Sequence, residues 1–136
     1  ILKSFELGKG RDAQRTEITF IERCIDLLKP SGRLGIVLPD GILMNASLQY
    51  VRDFILGGAK ILAVVSLPAC TFVPAGSGVK ASLVFLEKKD THVEVGYPIF
   101  MAIAEHVGYD ATGRPDSNDL PQILDQYKSF LKEGAK

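Results

Sequence analysis

Tryptophan is absent from this 136-residue sequence, and cysteine, histidine and methionine occur twice each. Cys24 and Cys70 form no C-x-x-C and have no nearby histidine pair, which excludes a zinc site of ordinary spacing. Cys24 falls in a helical pattern, where it packs as a small apolar residue, and Cys70 falls in a loop. The expected compartment is the reducing cytoplasm. His92 and His106 are isolated and receive no role. No apolar run reaches the roughly 20 residues that span a bilayer, and no signal peptide is visible, so no membrane partner is expected. Excess charge of either sign is also missing, with 16 Lys+Arg against 16 Asp+Glu. A domain that holds nucleic acid by charge alone carries a basic excess. Any DNA contact must therefore be local, or shared with residues outside this chain. No nucleophile–base pair, metal-ligand cluster or carboxylate pair stands at useful spacing, so neither a catalytic residue nor a metal is assigned.

The sequence contains enough apolar residues for one domain with a modest core. Position 1 is isoleucine, and the expectation is a fragment, a processed piece or the ordered part of something longer. Residues 1–11 carry Gly8 and Gly10 and read as a mobile lead-in. Lys9 and Arg11, with Arg15 close behind, are either a solvated loop or an arm that contacts phosphates. From about Asp12 to Lys29 the period is helical, with Ile18, Ile21, Ile25 and Leu28 on one face. Pro30-Ser31-Gly32 ends that helix. Residues 33–38 form a short, non-alternating apolar run, the pattern of a strand buried on both faces. A second helix is expected over roughly Ala46–Leu56, capped by Asn45 or Ser47, with Leu48, Val51 and Ile55 inward.

Lys60–Leu67 is another buried-type strand. Helix, strand, helix, strand in this order implies a βαβ unit with parallel strands. A third strand, Lys80–Glu87, follows a loop without a helix and is expected to pair antiparallel with a neighbour. Val93–Ile103 holds one or two extended pieces. A polar loop leads to an amphipathic helix over about Asp119–Lys132, capped by Asn118, with a stripe of Leu120, Ile123, Leu124, Tyr127, Phe130 and Leu131. The expected division is 1–11, 12–104 and 105–136.

Ligands in open α/β sheets bind beyond the carboxyl ends of the parallel strands. Here those ends carry Pro39-Asp40-Gly41 and the loop after Leu67-Pro68. Asp40 before Gly41 is either a turn former or a cleft group. Phe72, a large aromatic in a Gly- and Pro-rich loop, either folds back onto the core or serves as a stacking platform. Gly76-Ser77-Gly78 with Lys80 lacks P-loop spacing, and a strand follows it where a P-loop has a helix.

These segments resemble the adenine-N6 DNA methyltransferases, and most closely the modification subunit of type I restriction–modification systems. The resemblance rests on several stretches in order. They are Arg15-Thr16-Glu17 with Phe20-Ile21-Glu22-Arg23, Leu27 to Leu34, Leu38-Pro39-Asp40-Gly41-Ile42-Leu43, Ser47 to Arg52, Ile61 to Pro68, Thr71-Phe72-Val73-Pro74, and Gly78-Val79-Lys80 with Ser82 to Leu86. It covers about residues 12–113. Leu-Lys-Pro-x-Gly alone is common to many methyltransferases; the order of the pieces is far more specific. The resemblance implies an α/β fold: the late half of a class I S-adenosylmethionine-dependent (Rossmann-like) sheet, with parallel strands, an antiparallel last strand and a C-terminal helix. It implies S-adenosylmethionine as donor in the complete enzyme, with none bound to this piece. It implies DNA and the specificity and restriction subunits as partners. Phe72, Lys80, Ser82, Pro39 and Asp40 match supporting positions on the target-base side of the cleft. The family's catalytic Asn/Asp-Pro-Pro-aromatic motif has no counterpart, because the prolines at 30, 39, 68, 74, 98, 115 and 121 include no adjacent pair. The piece alone is therefore expected to be inactive. The alternative is a non-catalytic α/β module that associates, including with itself, through an exposed sheet edge.

Overall fold

Strand β3 (Ala81–Lys88) lies between β1 (Arg33–Pro39) and β2 (Ala59–Ser66) and is antiparallel to both. The computed structural model describes residues 2–90 and 96–134. Strand β4 (Phe100–Ile103) adds to the other edge of β2 in parallel, so the sheet order is β1-β3-β2-β4. β1 and β2 run in the same direction, as the helix–strand alternation implies, yet they are not hydrogen-bonded to each other. The reason is that β3 returns through a helix-free loop and takes the place between them. Of the extended pieces expected over 93–103, the part at 93–95 lies outside the described residues, as does His92.

Alternation along β3 divides the apolar residues between two layers. Val84 and Leu86 face helices α1 (Thr16–Leu27) and α3 (Gln49–Gly58), where they meet Ile18, Ile21, Ile25, Val51 and Ile55. Leu83 faces the opposite layer, with Val65, Leu67, Phe100 and Ile123. There α4 (Leu120–Gly134) lays Tyr127 and Phe130 against the Phe100 ring, at 5.3 and 5.6 Å between centroids. Leu124 and Leu131, expected on the same stripe, remain about half exposed. Asn45 Oδ1 accepts from the Ser47 amide and caps a 3-10 turn, Ala46–Leu48, that precedes α3. Helix α3 itself starts at Gln49 without a side-chain cap, and Asn118 Oδ1 accepts from the Leu120 amide at the start of α4.

Two segments show more structure than their composition signals. Residues 2–4 and 6–8 form 3-10 turns in the lead-in. The buried Glu22 carboxylate on α1 accepts the backbone N–H groups of Glu6 and Leu7 at 2.6 and 2.8 Å, and Leu7 is buried. The polar loop before α4 contains a hairpin, β5 (Val107–Tyr109) with β6 (Pro115–Asn118). In its turn the Thr112 hydroxyl, and then the Arg114 amide, donate to Asp110 and hold its carboxyl below the usual aspartate range. A depressed folded value means that the turn gains stability above the ordinary aspartate pKa and loses it as pH falls through the lowered one.

Leu86 is fully buried at the centre of the sheet. Leu86→Ala is expected to cost about 3 kcal/mol, which urea denaturation would register as a lower midpoint. Thr112→Val is expected to raise the Asp110 titration midpoint in carboxyl NMR; an unchanged midpoint would contradict the hydroxyl's role.

Candidate functional site

The register of the sheet brings four polar side chains to one end of it. Leu38 of β1 pairs with Ser82 of β3, and Ser82 pairs with Ser66 of β2. Lys80, two residues before Ser82, is on the same face by alternation. The Asp40 amide donates to the Lys80 carbonyl at 3.0 Å, which extends the β1–β3 ladder past Pro39 and sets the Asp40 side chain beside that row. Asp40 also opens a short helix, α2 (Asp40–Met44). Its carboxylate does not cap that helix.

Both Asp40 oxygens are used across the sheet. Oδ1 accepts from Ser82 Oγ at 2.7 Å, and Oδ2 accepts from Lys80 Nζ at 3.0 Å. Lys80 Nζ also donates to Ser66 Oγ at 2.8 Å. Ser82 is buried, so its hydroxyl requires a partner, and Asp40 supplies it. The Lys80 side chain is 48% exposed and that of Asp40 only 17%. The carboxylate is thus inside the cluster and the ammonium on its open side. An ammonium has three N–H donors, and the two contacts leave one for a ligand.

Asp40, Lys80 and Ser82 are therefore brought together, with Pro39 as the last residue of β1. The sequence reading missed Ser66, a lone serine at a strand end; the only signal was its place just before Leu67-Pro68. Phe72 makes a different set of contacts. It lies in the β2–β3 loop, half buried against the core layer of Val65 and Leu67. That loop is braced. The Ala75 and Ser77 amides donate to the Phe72 carbonyl, Gly76 takes a left-handed φ of 84°, and the Tyr109 hydroxyl donates to the Thr71 carbonyl at 2.9 Å. Lys9, Arg11 and Arg15 gather elsewhere, around Tyr50. The Arg11 guanidinium lies 4.0 Å from the centre of the Tyr50 ring. Lys9 and Arg11 line an open groove of about 680 Å³, and Arg15 lines the adjoining one. All three are exposed.

The apolar cavity on the α4 face does not fit S-adenosylmethionine. The cavity of about 250 Å³ on the α4 face is lined by apolar side chains such as Val65, Leu83, Phe85 and Leu124, with Tyr127. It has no carboxylate for ribose hydroxyls, and no glycine-rich turn leads from a strand into a helix beside it. Nor do the described residues contain a group of three or more metal-ligating side chains, or a helix long and apolar enough to cross a membrane.

The asymmetric burial of the cluster predicts unequal stability effects. Asp40→Ala strands the buried Ser82 hydroxyl and is expected to cost about 1–3 kcal/mol. Lys80→Ala removes a half-exposed ion pair and is expected to cost at most about 1 kcal/mol. Urea denaturation of the two variants separates these outcomes; equal losses would contradict the assignment.

Comparison with known proteins agrees with the resemblance seen in the sequence. Residues 3–135 match the family model described as N-6 DNA Methylase. A Listeria monocytogenes protein, described as a class I S-adenosylmethionine-dependent methyltransferase, superposes with a TM-score of 0.72 at 24% identity. The match covers 93% of this chain and 36% of that one. A structure of a type I R-M system, reported for its complex assembly and conformational transition, gives a TM-score of 0.61 at 23% identity. It covers 92% of this chain and 25% of that one. This chain therefore spans about a third or less of the length of these neighbours, and their likeness establishes the class I α/β fold. With its model matched along nearly the whole sequence, the chain belongs to the N-6 DNA methylase family.

Proposed function

We propose that this chain forms the target-base side of the cleft in a DNA adenine-N6 methyltransferase, of the kind that serves as modification subunit in type I restriction–modification. The observation that carries this reading is the Asp40–Ser82–Lys80 cluster. It stands at the carboxyl ends of β1 and β2, where α/β sheets bind ligands, and it opens the same sheet end as the Phe72 loop.

The physical need is clear. An adenine drawn out of a duplex loses stacking worth a few kcal/mol, and a pocket must offset part of that loss. Phe72 supplies an aromatic surface on a braced loop. Lys80 supplies a directed N–H, with its charge balanced by Asp40 so that it does not act as a bare cation. Ser82 holds Asp40, and Pro39 stops β1 where the cleft begins. Lys9, Arg11 and Arg15 provide local contacts for DNA phosphates in a chain of zero net charge. The methyl donor and the catalytic motif belong to another part of the enzyme, and these 136 residues alone carry out no transfer. The partners under this reading are DNA and the specificity and restriction subunits, in the cytoplasm.

A second reading has its own observation. The outer edge of β1 has no partner strand among the described residues, and Val37 on β1 is 46% exposed. Such an edge favours association through strand addition. Molecular mass in solution decides this point, with a monomer at high concentration counting against it.

Two measurements test the main reading. Calorimetric titration of the isolated chain with S-adenosylmethionine is expected to show no binding; tight stoichiometric binding would contradict it. In the complete enzyme, Phe72→Ala is expected to lower kcat/KM for duplex DNA roughly 5- to 150-fold, the equivalent of about 1–3 kcal/mol of base stacking, with donor affinity unchanged. Phe72→Leu, which keeps the apolar packing, is expected to behave alike. Equal loss of DNA and donor binding would mark a folding defect instead.

A further inference from the structure

We infer that Ser66 is a positioning residue that acts through Lys80. This inference rests on the target-base reading above and deepens it. Lysine is among the side chains with the most rotamer freedom to lose, and its ammonium is less preorganised than a guanidinium. One ion pair leaves such a group swinging about a single contact, most of all when it is half exposed. Here the ammonium has two fixed acceptors, one on each flanking strand end. Asp40 Oδ2 follows β1, and Ser66 Oγ ends β2. Lys80 directly precedes β3, which lies between them.

The two acceptors differ in what they do. Asp40 is itself held by the Ser82 hydroxyl, so it cannot follow the lysine outward. Ser66 adds no charge. Its hydroxyl oxygen takes a second N–H and so fixes the direction of the third, which remains for an acceptor atom of the nucleotide in the cleft. Ser66 sits opposite Ser82 in the β2–β3 register, so its place is set by the sheet rather than by the loop. Without Ser66 the lysine keeps its charge and its carboxylate but loses its aim.

The test is a double-mutant cycle in the complete enzyme, with duplex DNA as substrate. Ser66→Ala is expected to lower kcat/KM for DNA roughly tenfold, the scale of one hydrogen bond to a charged group. Donor affinity and melting temperature are expected to stay at wild-type values. Ser66→Thr, which keeps the acceptor oxygen, is expected to recover most of the loss. In a Lys80→Ala background, Ser66→Ala is expected to add nothing. Should the alanine variant melt early, Ser66→Cys, which nearly keeps the volume and lacks the oxygen, takes its place in the cycle. A wild-type rate for Ser66→Ala beside an impaired Lys80→Ala would overturn the inference and leave the cleft reading standing. Additive losses in the double variant would also overturn it. A wild-type rate for Lys80→Ala would overturn both.

Discussion

The return of β3 between β1 and β2 is the constraint on which the rest of the molecule depends. An antiparallel strand starts where its neighbours finish. Lys80, just before β3, and Ser82, at its beginning, therefore meet Asp40 after β1 and Ser66 at the end of β2. Had β3 run parallel to both, its first residues would lie a strand length away, on the order of 25 Å for eight residues. The same placement makes β3 the common wall of both core layers, with Val84 and Leu86 on one side and Leu83 on the other.

Burial then decides what each polar group does. Ser82 is inside and is satisfied by a carboxylate; the carboxylate is mostly inside and is satisfied by a hydroxyl and an ammonium; the ammonium is half outside. Polarity thus rises in steps from the sheet to the open end. A chain of zero net charge can present one directed cation in this way without a basic surface. The loop that carries Phe72 is held by the Tyr109 hydroxyl of the hairpin, so the segment before α4 also fixes that loop.

Much of this was legible in the sequence, and the limits have physical causes. The Ile18, Ile21, Ile25 stripe gave α1, because a helical period needs only one buried face. The runs at 33–38 and 60–67 read as strands from their short, non-alternating apolar pattern, yet β1 is covered on one face only, with Arg33, Gly35 and Val37 exposed. The lack of a helix before β3 gave its antiparallel sense. The slot it takes was not legible, since no residue pattern within a strand encodes its neighbours. β6 was missed because Pro-Asp-Ser-Asn has little strand preference and lies exposed, held by pairing and turn chemistry. The turns at residues 2–8 were missed because they depend on Glu22, which the helical pattern marks only as a charge. Asp40, Lys80 and Ser82, which the structure brings together, were singled out through family resemblance and strand-end position. Ser66 was not, because a single serine at a strand end is unremarkable until its partner across the sheet is known.

The central claim is that this sheet end receives the extruded adenine. The most direct measurement is a structure of the complete enzyme bound to its DNA duplex and a non-reactive donor analogue. The account predicts the flipped adenine stacked on Phe72, with ring centroids roughly 4.5–7 Å apart, and Lys80 Nζ within about 3 Å of an acceptor on that nucleotide. An extruded adenine seated elsewhere, in contact with neither residue, would contradict it.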